Sequence, residues 1–316
     1  MNSKIYFQII KERDTMKSKR RSFGERKIAA IVPFIIVGAL VISIGMFSSC
    51  IKAQDSETDG KKYEDFDPKN FDNPTNIDNE WMTLIPGMRY VYAGTTVDED
   101  KPIPHRVVIH VTDLTKMIGE INCVVAWDLD FSAGELVEAE LAFFAQDNEG
   151  NVWRMGEYPE EYEEGEYVLN SCWLNGIEGS IAGISMKGEP LLGSSSYSQG
   201  WSPSTGFTDR GQVHLMGQEI CVPMGCYEDV LVIAEGSEAE GDAKQLKYWA
   251  KGIGNVKVGW MGEGEKTQEV LELVDVLELG AEGLAKIREE AFELEKNAYE
   301  RSKDVYGLTS PMEFKK

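Results

Sequence analysis

From Phe66 to about Tyr248 the chain consists of short runs in which apolar and polar residues alternate, punctuated by Gly, Pro, Asn and Asp. Arg106-Val-Val-Ile-His-Val and Glu138-Ala-Glu-Leu-Ala-Phe-Phe show the pattern. A period of two is that of half-buried antiparallel strands, with one face toward a core and the other toward water. Runs of this kind fall at 88–93, 106–112, 122–129, 138–146, 152–156, 212–216, 219–222, 229–234 and 246–250. The intervals are too short for the crossover helices that parallel strands need, so a parallel sheet is excluded.

The last segment differs in kind. Leu284, Ile287, Ala291, Leu294, Ala298 and Val305 share one face of a helix predicted over 281–306, with Gly307 as its stop. That stripe must be buried, and the concave side of a curved sheet is the expected place. The predicted class is therefore α+β and β-rich: a curved, half-barrel-like antiparallel sheet packed on a C-terminal helix. An N-terminal signal or anchor helix precedes it.

That N-terminal element is the clearest statement of address. Lys17, Lys19, Arg20, Arg21, Arg26 and Lys27 precede an apolar run over 28–47. Basic residues before such a run hold the N-terminus in the cytoplasm and send the remainder across the membrane. The run ends Met46-Phe47-Ser48-Ser49-Cys50, which resembles a prokaryotic lipobox; the resemblance implies lipidation of Cys50. An uncleaved anchor and free secretion remain as alternatives, since about 20 apolar residues can span a hydrocarbon core. All three place the domain outside the cytoplasm, in the cell envelope. Residues 51–65 are polar and aperiodic and read as a flexible tether, which leaves 66–316 as one extracytoplasmic domain.

Charge narrows the partners. The formal net is −22; residues 1–50 hold nine Lys/Arg and three Asp/Glu, which leaves 23 basic against 51 acidic residues, or −28. A surface of that sign repels phosphate backbones, which excludes nucleic acid as a partner. The membrane is met through the N-terminal lipid or anchor instead.

Three blocks resemble an uncharacterised family of prokaryotic secreted or lipid-anchored proteins. They are Asn76-Ile-Asp-Asn-Glu-Trp-Met-Thr-Leu-Ile-Pro-Gly-Met-Arg-Tyr-Val-Tyr92, Phe144-Ala-Gln-Asp-Asn-Glu-Gly-Asn-Val-Trp-Arg-Met-Gly-Glu157 and Val222-Pro-Met-Gly-Cys-Tyr-Glu-Asp-Val-Leu231. Residues 299–309 (YERSKDVYGLT) are similar to that family's C-terminal helix. The resemblance covers about 70–312 and implies architecture and address, with no established activity. Lys247-Tyr-Trp-Ala-Lys-Gly-Ile-Gly-Asn-Val-Lys257 is similar to a strand-turn-strand of lipoprotein-carrier-like half-barrels, which implies a curved sheet and hints at a lipid or other apolar ligand.

Chemistry-bearing residues are sparse. Asp147-Asn-Glu-Gly-Asn151 reads as a hairpin turn with Gly150 at φ > 0; the rival reading is the start of a calcium loop through Asp147 and Glu149. The acidic run 157–167, with Glu157, Glu160 and Glu161, reads as a solvated loop, with divalent-cation binding or acid–base work as the alternative. No cofactor is expected beyond such a cation, calcium being the candidate. Three histidines, His105, His110 and His214, are too few for a His-rich metal site, and the odd spacing of the first two points them to opposite sides of a strand. Beyond Cys50, Cys221 and Cys226 bracket a turn and are expected to pair; Cys123 with Cys172 is then the second expected disulfide. Among the aromatics, Trp153, Trp173 and Trp201 are candidates for lining a ligand site, although core packing is the commoner role.

Two functions of different class follow. The first is a non-enzymatic, membrane-anchored lipoprotein that binds an apolar ligand, an envelope component or a partner protein. The second is an extracytoplasmic hydrolase using carboxylates of the 157–167 segment. They are separated by whether two carboxylates converge in one cleft, at least one of them desolvated.

Overall fold

A computed structural model describes residues 61–98, 100–237 and 241–315. The expected signal or anchor over 1–50, Cys50 and most of the tether lie outside these residues. The described part is a β-rich antiparallel sheet with one helix packed on it, as the alternation predicts.

The strands, in chain order, are β1 Met88–Asp98, β2 Lys101–Ile118, β3 Ile121–Ser132, β4 Glu135–Gln146, β5 Val152–Glu163, β6 Glu166–Asn170, β7 Trp173–Leu174 and β8 Ile181–Met186. They continue with β9 Tyr197–Ser198, β10 Gly200–Trp201, β11 Arg210–Val222, β12 Gly225–Gly236, β13 Lys244–Ala250, β14 Gly254–Met261, β15 Val270–Glu278 and β16 Glu313–Phe314. Their order is β10-β8-β5-β4-β3-β2-β1-β15-β14-β13-β12-β11-β9. The two ends of that order are neighbours in sequence: β9 pairs with β11, and β10, one residue further on, pairs with β8. A single segment thus hydrogen-bonds to both ends of the sheet, and one face is turned inward.

The inward face follows from register. In a directly opposed antiparallel pair both side chains point to the same side. Val111 faces Ala126, Ala126 faces Ala142 and Val124 faces Phe144. These residues pack in one cluster with Val213, Leu231, Ile233 and Trp249 from β11–β13, far away in strand order. Trp81 and Leu84, from the segment before β1, close that cluster. The opposite face carries Leu114, Cys123, Val125, Leu141 and Phe143, which pack with Ile287, Ala291, Leu294 and Ala298 of helix α1, Ala281–Arg301. The helix therefore covers the outward face rather than filling the hollow. The inner side is already occupied by side chains from strands that face one another, and the apolar stripe is satisfied on the other side.

The helix also stops earlier than Gly307. Ser302 leaves helical geometry, and the chain turns so that Tyr306 is fully buried against Tyr158 and Tyr299. Lys116, fully buried on β2, ties helix to sheet. Its ammonium donates to Glu295 at 3.1 Å and to the Ser310 carbonyl at 2.7 Å, and it sits 4.0 Å from the centre of the Tyr306 ring. Glu295 also accepts from the Tyr306 hydroxyl and the Met312 amide.

Cys221 and Cys226 face each other across the β11–β12 hairpin and form a disulfide. The expected Cys123–Cys172 bond is not formed; both are buried free thiols. Cys123 donates to the Ile121 carbonyl within β3, while Cys172 lies just before β7, where Ser302 and Tyr306 of the C-terminal segment engage it. Burial pushes the Cys172 thiol up to about 12, which keeps it unreactive.

Candidate functional site: a charged end of the inner face

The acidic segment is not a solvated loop. Residues 157–163 continue β5, and only Glu164 and Gly165 form the turn to β6. The register across β4 decides where each carboxylate points. Glu157 opposes Ala142 on the inner face, whereas Glu160 opposes Ala139, a member of the helix-side core. The two buried carboxylates of the segment thus face opposite sides. Glu160, fully buried, accepts from the Tyr158 and Tyr162 hydroxyls and pairs with Arg301 of α1 at 2.6 Å. It is a structural anchor for the helix. Glu161 lies exposed at the rim.

The inner face near these strand ends is charged. Asp128 and Asp130 on β3 directly oppose Glu140 and Glu138 on β4, and Glu138 in turn opposes Glu161 on β5. A register shift between Phe143 and Phe144 brings Arg154 onto the same side as Glu157, three residues away, and Arg154 pairs with both Glu157 and Glu140. Gly156 at the shift has φ +146, and a Cβ there would lie 2.4 Å from the Trp173 carbonyl; only glycine lets β7 approach. Trp173 and Phe207, 5.0 Å apart, wall this corner, and the Arg154 guanidinium lies between the Phe144 and Phe207 rings.

Strands from the other half of the sheet meet this group. Lys247 on β13 pairs with Glu235 on β12 at 2.7 Å, and Gln199, between β9 and β10, donates to Glu235 at 2.8 Å. Burial opposes the Lys247 charge, but Glu235 outweighs it and also the repulsion from Arg154, so its pKa is raised. Arg154 on β5 and Lys247 on β13, seven places apart in the strand order, act on each other and on Asp128 of β3, so the two halves of the sheet meet at this end.

At the next position His105 on β2 pairs with Glu269, just ahead of β15, at 2.9 Å and with Asp130 at 3.4 Å. Gly94 on the intervening β1 opposes both His105 and Leu271, and a Cβ there would meet the Val270 carbonyl at 1.8 Å. Burial alone would lower the His105 pKa, but the Glu269 and Asp130 carboxylates outweigh it and raise it. Ser132 lies 3.1 Å from the other ring nitrogen, so Ser132, His105 and Glu269 have the connectivity of a nucleophile triad. A raised pKa favours the imidazolium, which has no lone pair to take the serine proton, and the group is better described as a clasp.

Burial is the largest cause of the carboxylate shifts. Glu138 is pushed up to about 9, with Glu140, Asp130, Glu157 and Glu161 adding to burial. Glu157 is pushed up to about 7 against the pull of Arg154, and Asp130 to about 6 against that of His105. Asp128 is raised as well, by burial and then by Glu140.

The remaining sequence candidates lie elsewhere. Asp147 braces the β4–β5 turn, accepting from the amides of Glu149 and Asn151, the Asn151 side chain and the Trp153 indole, while Glu149 accepts from Asn70. Gly150 takes φ +81 in that turn. Trp153 packs on the outward face with Phe66 and Phe71. Trp201 is covered by Lys62, whose ammonium is 3.8 Å from the ring centre. Only Trp173 of the three tryptophans borders the charged end. Among the described residues no three His, Cys, Asp or Glu side chains are arranged to hold a metal ion. Asp128, Asp130, Glu138, Glu140, Arg154, Glu235 and Lys247 escaped the sequence reading, because polar residues alternating with apolar ones look the same whether they face water or an inner space.

No protein-family model matches the chain, and no curated protein does. Two solved structures resemble it distantly. One is a "putative exported protein with YmcC-like fold" from Bacteroides fragilis NCTC 9343, at 11% identity and a TM-score of 0.37, covering 63% of this chain and 99% of that one. The other is a "putative lipoprotein" from Parabacteroides distasonis ATCC 8503, at 10% identity and a TM-score of 0.33, covering 61% of this chain and 96% of that one.

Proposed function

We propose that this chain is a membrane-anchored, extracytoplasmic binding protein, and that the charged end of its inner face takes a polar, hydroxyl- or amine-bearing component of the envelope. Export is supported by the basic-then-apolar N-terminal sequence and by the Cys221–Cys226 disulfide, which suits an oxidising compartment. Binding is favoured over hydrolysis by the acidic segment because Glu160 faces the other side of β5, and Glu140, the carboxylate that meets Glu157, is tied with it to Arg154.

The observation that carries the ligand class is the lining itself. Acceptors (Glu140, Glu157, Glu235) and donors (Arg154, Lys247, Gln199) pair with one another at one end of the inner face, beside the Trp173 and Phe207 rings. Convergent polar groups beside aromatic faces suit a polar ligand better than an acyl chain.

The test is a thermal-shift titration of the detergent-solubilised full chain with neutral and amino oligosaccharides and, separately, with palmitate. At ten times Kd a ligand stabilises by about 1.4 kcal/mol, roughly 3–5 °C for a domain of this size. A saccharide shift that Lys247→Gln removes is expected. A shift with palmitate, or none with any saccharide, refutes the reading.

A further inference from the structure

Three adjacent strands present carboxylates to one another at the charged end, and the pairing has no conventional explanation as a salt-bridge network. Asp130, Glu138 and Glu161 form one row across β3, β4 and β5, and Asp128 with Glu140 forms the next. Directly opposed side chains on antiparallel strands have Cβ atoms about 5 Å apart, and like charges in such pairs push the strands apart. The cations facing these rows are already engaged. From β5, Arg154 pairs with Glu140 and Glu157; from β13, Lys247 pairs with Glu235; from β2, His105 is shared between Asp130 and Glu269. Among the described residues, those that act most on Glu138 are carboxylates: Glu140 on its own strand, Asp130 from β3, and Glu157 and Glu161 from β5. One oxygen each of Asp128 and Asp130 is buried with no hydrogen-bond partner, which is where a neighbouring carboxyl proton would be received.

We propose that these rows are a proton-operated clasp: carboxyl protons shared across β3, β4 and β5 hold the strand ends together, and their loss on alkalinisation loosens this end of the sheet. Protonated Glu138 donates to a facing carboxylate oxygen in place of repelling it. Each proton lost returns a full negative charge to a row that has no free cation to meet it. The clasp thereby couples the opening of the inner face to external pH, independently of which ligand enters.

The sign follows from the direction of the shift. A carboxyl whose folded pKa lies above its unfolded value of 4.5 contributes stability that is present below that value and fades as pH rises through the folded one, about 9 for Glu138. Glu157 and Asp130 fade first, near 7 and 6, so Glu138 dominates above pH 7.

Glu138→Gln keeps the shape and removes the charge. Thermal unfolding of the full chain between pH 5 and 9 should show the parent losing stability above pH 7. The variant should keep it, unfolding about 4 °C or more above the parent at pH 9 and close to it at pH 5. Parallel pH profiles for the two proteins overturn the proposal, as does a parent profile that is flat from pH 6 to 9. Should the variant not fold, carbon-13 titration of the parent's Glu138 carboxyl decides: a midpoint above 6.5 supports the clasp and one below it refutes it.

Discussion

Lys116 is the buried charge whose removal should be felt most. It is fully buried between β2 and α1, and its ammonium is held by Glu295, the Ser310 carbonyl, the Tyr299 hydroxyl and the Tyr306 ring. Lys116→Met has nearly the right volume and no charge. It strands the Ser310 carbonyl and leaves the Glu295 carboxylate, itself about 5% exposed, with only the Tyr306 hydroxyl and the Met312 amide. Removing one partner of such a pair costs about 3–5 kcal/mol, whereas replacing both by apolar groups of similar size is often close to neutral. At roughly 2–4 °C per kcal/mol for a domain of this size, the single variant should lose about 6–20 °C of Tm. Lys116→Met with Glu295→Leu should recover a large part of that, giving a coupling of about 2 kcal/mol or more in a double-mutant cycle. Far-ultraviolet circular dichroism and tryptophan fluorescence, followed through guanidinium unfolding, supply the four free energies. Costs that simply add, within about 0.5 kcal/mol, would mean the contact is not an interacting pair, and the account of how the helix is fixed to the sheet would fail.

His105→Gln tests the clasp between β2 and β15. Because the folded pKa of His105 is raised, its contribution is full below the unfolded value of 6.5 and fades as pH rises through the folded one; the variant's deficit against the parent should be larger at pH 5.5 than at pH 8.5. An equal deficit at both values would mean that shape, not charge, is what His105 supplies. For the address, Cys50→Ser should abolish palmitate labelling of the chain in its host; undiminished label would show that Cys50 is not a lipidated residue.

Much of the frame was readable from alternation. Runs such as 106–112 and 138–146 lie inside β2 and β4, the helix begins at Ala281 as its stripe predicts, and Cys221 faces Cys226 because four residues between them make a hairpin. The breaks came where a residue's partner is remote. Glu160 looks like one more solvated acid until Arg301 arrives from 141 positions away to neutralise it. Asp128 and Asp130 alternate with Leu129 and Phe131 as any surface strand would, and only closure of the sheet's two ends turns their side inward. The expected place for the helix, the concave side, is the wrong face, since the periodicity of a helix says how wide its apolar stripe is but not which side of a sheet receives it.

The strand order also has a temporal meaning. Almost every pairing joins strands that follow one another closely in the chain, so each can form soon after its residues meet water. The exceptions are β16 with β2, where Glu313 opposes Thr115, and β1 with β15, where Met88 opposes Glu278 and nearly the whole domain lies between them. Closing so long a loop is costly in chain entropy and comes late. A chain whose domain emerges from its N-terminal side on the far side of a membrane would carry an unpaired β1 edge until β15 is delivered, and that interval is when it is most open to pairing with another copy of itself. Arg89 on β1, reaching Asp275 on β15 at 2.7 Å, and His105, reaching Glu269 across Gly94, are side-chain links that bridge that seam once the two strands meet.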